Sequence, residues 1–179
     1  MPTKWLDDKN FHTKQAGTYD CILLMTLYKI CKDKVSIKDI EDINNKLLLE
    51  PFNKLKFINF NHKIYKSLMY KVFKSSESRC KKYDDFKMKL DDYCKDKPLH
   101  YDFTFCPLAE FAKRNNLQEV MPALCNGDYY AMEKLKARLI RKYNCVTDNI
   151  CDLTIVGDEN PLLKEHEQYI DEKGYVRNK

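Results

Sequence analysis

The sequence predicts an α+β domain, with a helical N-terminal half and about four antiparallel strands, covered by helices, in the second. Three observations predict it. Apolar residues in the first eighty positions recur at intervals of three and four, the period of an amphipathic helix. Beyond Phe86 they alternate in twos, as in Phe86, Met88 and Leu90, and again in Tyr101, Phe103 and Phe105, the period of a half-buried strand. At Cys106-Pro107 the period switches from two back to helical. With 179 residues and no Pro/Gly/Ser-rich linker, the chain reads as one domain spanning 1–179 with a real core.

The elements follow in order. Residues 1–15 are polar and read as a loosely held arm, with Trp5 and Phe11 as docking points. Tyr19 to Lys32 is apolar almost all round, which predicts a largely buried core helix. Ser36 and Asp39 form a variant capping box before Ile37, Ile40, Ile43 and Leu47, a helix that Pro51 stops. Lys63 to Lys82 reads as a helix with lysines outside and Ile64, Leu68, Val72 and Met69 inside. Strands are expected at 86–92 and 99–105, paired antiparallel across a polar connection. Pro107 fits the first position of a helix whose stripe is Leu108, Phe111 and Ala112, and Asn115-Asn116 ends it. A second short helix follows Cys125 and Gly127, with Asp128 as N-cap. Strands at 138–146 and 150–156 flank the turn Thr147-Asp148-Asn149 as a hairpin, across which Cys145 and Cys151 face each other as core residues.

Composition narrows the function classes. The charged N-terminus and the lack of any apolar run near the ~18 residues of a membrane span predict a cytoplasmic protein without a membrane partner. Net charge is +5 with 33% charged residues, but lysines alternate with acids, as on a solvated surface. The nearest approach to a basic stripe, Lys63 to Lys82, fits the outer face of a helix, so no nucleic acid is expected. Eight cysteines are scattered without C-x-x-C or zinc-ribbon spacing, which predicts free thiols and no metal. There is no Ser-centred elbow, GxGxxG, Walker loop or H-E-x-x-H.

One cysteine stands out. Cys106 caps a strand-to-helix turn, where unpaired N–H groups and the positive end of the helix dipole favour a thiolate. Cys125, before Gly127 and Asp128, has a similar setting and is the second candidate nucleophile. His100 lies on the polar side of its strand and His166 in a charged tail.

FTFCPLAEFAKRNNL, VMPALCNGDYYAMEKLKARLIRKYNC, CDLTIVGDENPLLKEH and the terminal YIDEKGYVRN resemble the L-2-amino-thiazoline-4-carboxylic acid hydrolase family, commonly named in bacterial genomes, closely over residues ~50–179. The resemblance implies hydrolytic opening of a cyclic amidine, as a C–N hydrolase, to a carbamoyl-cysteine, with no cofactor and a small molecule as partner. Its Cys-Pro corresponds to Cys106-Pro107, its C-x-x-D to Cys125 and Asp128, and its basic strand before C-D-[FLY] to Arg138, Arg141, Cys151 and Asp152. The last feature also resembles the end of vinyl-4-reductase-type ligand-binding domains, whose turn contains a Gly. Here that turn is Val146-Thr147-Asp148-Asn149, and Asn tolerates the positive φ it needs.

Ring opening needs a nucleophile, a proton carrier and a cation for the carboxylate. Cys106 or Cys125 supplies the first, Asp128 or His100 the second, and Arg138 or Arg141 the third. Three residues apart on a strand, the two arginines point to opposite faces, and Arg138 is preferred. Asp152 and Tyr129 complete the expected substrate contacts. The alternative is a small-ligand-binding or sensor domain of the vinyl-4-reductase type, with an apolar cavity and no turnover.

Overall fold

The computed structural model describes residues 16–83 and 86–179; the expected arm at 1–15 lies outside the described residues. Helix α1 (Ala16–Ile30) buries Ile22, Leu24, Met25 and Tyr28 but leaves Leu23 and Ile30 exposed. It is therefore half-buried rather than enclosed, because only one side meets a neighbour. Helix α2 (Ile37–Asn53) starts at the capping box: the Asp39 N–H donates to Ser36 Oγ, and the Ser36 N–H donates to Asp39 Oδ2. Pro51 does not stop it but sits in its last turn. The carbonyl that Pro51 cannot serve belongs to Leu47, which is half-exposed, so solvent can take the missing donor's place.

Helix α3 (Lys63–Tyr83) is rotated from the expected face. Met69 packs on the core as expected, but with Tyr65, Tyr70 and Phe73, whereas Ile64, Leu68 and Val72 are 73%, 53% and 49% exposed. Both sets have helical spacing. The larger, aromatic set buries more apolar area and stacks on the sheet, Phe73 meeting Tyr101 at 4.8 Å between centroids, and this decides the rotation.

Strands β1 (Lys87–Leu90), β2 (Leu99–Phe105), β3 (Ala137–Ile140) and β4 (Cys151–Gly157) form one antiparallel sheet in the order β1-β2-β4-β3. The fold is α+β, as the alternations predict. Met88, Leu99, Tyr101, Leu139, Leu153 and Ile155 enter the helix-covered core. The third strand is shorter than expected: from Arg141 to Ile150 the chain forms turns instead of a long hairpin arm. Asp152 Oδ1 accepts from the N–H groups of Lys142 and Tyr143, and Asn144 Oδ1 accepts from those of Val146 and Thr147. Side-chain acceptors thus replace ladder partners and turn the chain out of the sheet. Asn149 takes φ 60, the left-handed conformation expected of it in place of Gly.

Between β2 and β3 run α4 (Pro107–Asn115), α5 (Met121–Cys125) and α6 (Gly127–Glu133). Asp128 lies inside the first turn of α6, not at its cap, which is Asn126; α5 runs almost directly into α6 and leaves no free cap position for it. A terminal hairpin, β5 (Gln168–Ile170) with β6 (Val176–Asn178), adds to the elements that the sequence predicts. It closes on Gly174, whose φ of 86 suits glycine. Among the described residues, two apolar cores result. One joins the sheet to α3 and α6, and the other joins α1, α4 and α5 around Tyr175.

Candidate active site

A cavity of about 600 Å³ lies between the two cores and takes wall residues from both. Its wall is mostly apolar, with Phe73, Phe86 and Met88 towards the β1 edge of the sheet. At the β3 end it becomes polar, with Asp128, Arg141 and Asn144. Cys21, Cys80, Cys106, Cys125, Cys145 and Cys151 all contribute to it, and none is joined in a disulfide.

Arg141 is 1% exposed. Its backbone is clamped by Asn178 of the terminal hairpin, whose Oδ1 accepts the Arg141 N–H and whose N–H donates to the Arg141 carbonyl, both at 2.9 Å. The guanidinium donates through Nη1 to the Cys125 carbonyl and through Nη2 to the Val176 carbonyl, each at 3.3 Å. It stacks over the Tyr129 ring, 5.1 Å from the centroid. Nε has no partner. The carboxylate beside it, Asp128, is 3.9 Å away, too far for a good hydrogen bond. A buried cation with a spare donor and so loose a counter-ion is suited to receive an anion.

The thiols do not behave as a helix cap alone would predict. Cys106 holds the N-cap of α4 in extended backbone (φ −127, ψ 115) with Pro107 behind it. Burial pushes its pKa up, and the N–H groups of Ala109 and Leu108 offset this only partly. Burial likewise raises Cys125, against the opposing charge of Arg141, and pushes Cys145 and Cys151 up to about 12. The expected lowered pKa at Cys106 is therefore reversed, because desolvation by an apolar wall outweighs a few N–H dipoles. Asp128 keeps half of its side-chain surface open; desolvation by the wall around it still raises its carboxyl, with Arg141 pulling it back. Among the described residues, no three His, Cys, Asp or Glu side chains are grouped to hold a metal ion.

A family model described as L-2-amino-thiazoline-4-carboxylic acid hydrolase matches residues 25–154. The chain belongs to this family. No curated protein and no solved structure matches it. The span matched to the hydrolase family contains Cys106, Cys125, Asp128, Arg141 and Asn144. The hairpin that braces Arg141 lies beyond it.

Of the residues singled out from sequence, Cys106, Cys125, Asp128 and Arg141 share the cavity wall. The others lie elsewhere. Arg138 points away and ion-pairs with Glu133, which reverses the preference between the two arginines. Arg141 reaches the cavity because the strand ends at Ile140 and the chain turns inward. His100 stands on the opposite face of β2, with Nδ1 3.0 Å from Asp91 Oδ2 and Nε2 3.5 Å from Asp102 Oδ1. Asp152 fixes the loop after Arg141 instead of facing the cavity. Tyr129 is buried beneath Arg141, and its hydroxyl donates to Asn178 Oδ1 at 3.2 Å. Sequence reading missed Asn144. It is 3% exposed and lines the cavity, and its Nδ2 is unpartnered.

Proposed function

We propose that the protein hydrolyses a small carboxylated cyclic amidine of the 2-amino-thiazoline-4-carboxylate type, with Cys106 as nucleophile. The observation that supports this is the shared cavity: Cys106, Cys125, Asp128 and the buried Arg141 all line it. Arg141 takes the substrate carboxylate. Cys106 Sγ adds to the amidine carbon while its proton passes to Asp128. The ring sulfur leaves and takes that proton, which places an amidino group on Cys106. Water then adds to the same carbon and releases Cys106 as a thiol. Both nitrogens stay on the carbon that becomes the carbamoyl group, so the ring bond broken is C–S, not the C–N bond first expected.

The test is hydrolysis of 2-amino-thiazoline-4-carboxylate, followed by release of the product thiol and loss of ring absorbance. Cys106→Ser should abolish turnover, and Cys125→Ser should retain it. The reverse pattern would move the nucleophile to Cys125. A wild type inactive on thiazolines, amidines and amides would leave a ligand-binding domain, which the apolar character of most of the wall favours.

A further inference from the structure

The cavity is too large for the substrate just proposed. A five-membered ring with one amino and one carboxyl substituent has nine non-hydrogen atoms. Even at the ~30 Å³ that each molecule of liquid water occupies, it would fill ~270 Å³, less than half of the 600 Å³ present. Most of the wall is apolar, although Thr18, Asp20, Asn44 and Ser76 also border the cavity. From β3 to β1 the sheet has three interstrand steps, or ~14 Å at ~4.8 Å each. Phe73, Phe86 and Met88 line the β1 side, and Arg141 and Asn144 the β3 side.

Arg141 and Asn144, which line the polar end, each carry an orphaned donor. Arg141 Nε and Asn144 Nδ2 are buried without partners, and an unmade hydrogen bond at such depth is costly unless a ligand makes it. We propose that the ligand of this cavity is an amphipathic carboxylate, its head on Arg141 and Asn144 and an apolar body, aliphatic or aromatic, extending under the sheet towards Phe73 and Phe86. Its size is on the order of twenty non-hydrogen atoms. This rests on the reading of Arg141 as the carboxylate anchor and extends it from a bare heterocycle to one bearing an apolar substituent.

Calorimetric titration of the full chain with decanoate, butyrate and 1-decanol tests it. Decanoate should bind at least a hundredfold more tightly than butyrate. Asn144→Asp keeps the Oδ1 acceptor for the Val146 and Thr147 N–H groups but replaces the spare donor with an anionic oxygen. It should weaken decanoate at least tenfold and leave 1-decanol unchanged. Ser76→Phe, which fills the wall on α3, should remove most of the decanoate advantage without affecting butyrate. Equal affinities for decanoate and butyrate, or a decanoate affinity indifferent to both substitutions, would overturn the inference. Turnover of 2-amino-thiazoline-4-carboxylate, measured on the same samples, separates the two proposals. Hydrolysis without a decanoate preference removes only the apolar body, and a decanoate preference without hydrolysis removes only the catalytic reading.

Discussion

At the scale of single residues, Arg141 carries a full charge to a place that water barely reaches, and two main-chain carbonyls hold it there. Replacing it with Gln should lower stability by about 2–4 kcal/mol, read from urea denaturation, because hydrogen bonds to a charged group are lost inside the protein. Arg138→Ala should change stability by no more than ~0.5 kcal/mol, since its pair with Glu133 is half in solvent, and should leave KM unchanged. The sequence makes both arginines visible but cannot rank them. Strand periodicity correctly separates their faces, but the choice depends on where β3 ends. That end is fixed by Asp152 twelve residues on and by Asn178 in the terminal hairpin, contacts that no local pattern encodes. Asn144 escapes notice for a related reason. An Asn in a turn reads as a turn former, a role it does fill through Oδ1, and only burial exposes the spare Nδ2.

At the scale of elements, α3 shows where a legible helix still hides its orientation. Its two apolar stripes have equal spacing, and what selects between them is packing on β1 and β2 together with Glu77, which is 4% exposed. Burial would raise the Glu77 carboxyl. Hydrogen bonds from Lys74, from the Leu90 N–H and from Lys81 more than offset this and hold it at about 2. The folded pKa lies below the ordinary value, so the contribution is complete above pH ~4.5 and is lost as pH falls towards 2. Glu77→Gln should therefore cost about 1–3 kcal/mol at pH 7, and the gap from wild type should narrow at pH 3. A gap independent of pH would mean that Glu77 acts through packing alone. A second junction is as tight: a Cβ on Gly157 would lie 2.0 Å from Asn61 Oδ1 and 3.1 Å from the Asn61 Cα. Gly157→Ala should then destabilise by about 1–3 kcal/mol in the same denaturation assay, loosening the end of β4 from the turn before α3.

For the whole molecule, the division into two cores with a cavity between them sets the reactivity of the thiols. Six cysteines line that cavity, and burial raises the pKa of five of them, Cys21, Cys106, Cys125, Cys145 and Cys151. Cys94, outside it, is partly exposed, and the N–H groups of Asp96 and Lys97 lower its pKa. Because the thiolate is the species that alkylates, iodoacetamide at neutral pH should modify Cys94 first, with peptide mass spectra recording the order. This reverses what the helix-cap position of Cys106 suggests from sequence, where burial cannot be read. Unfolding in urea should bring the cavity thiols to the rate of ordinary cysteines. If Cys106 nonetheless alkylates first, a charge inside the cavity must be stabilising its thiolate before any substrate arrives. If Cys94 leads, the nucleophile rests as a thiol and is unmasked by a cationic amidine, whose charge offsets the thiolate as it forms. Hydrolysis should then speed up with rising pH and still be climbing at pH 9, since burial places the Cys106 pKa above its ordinary 9.0. A rate that levels off near neutrality would instead assign the limiting proton to Asp128.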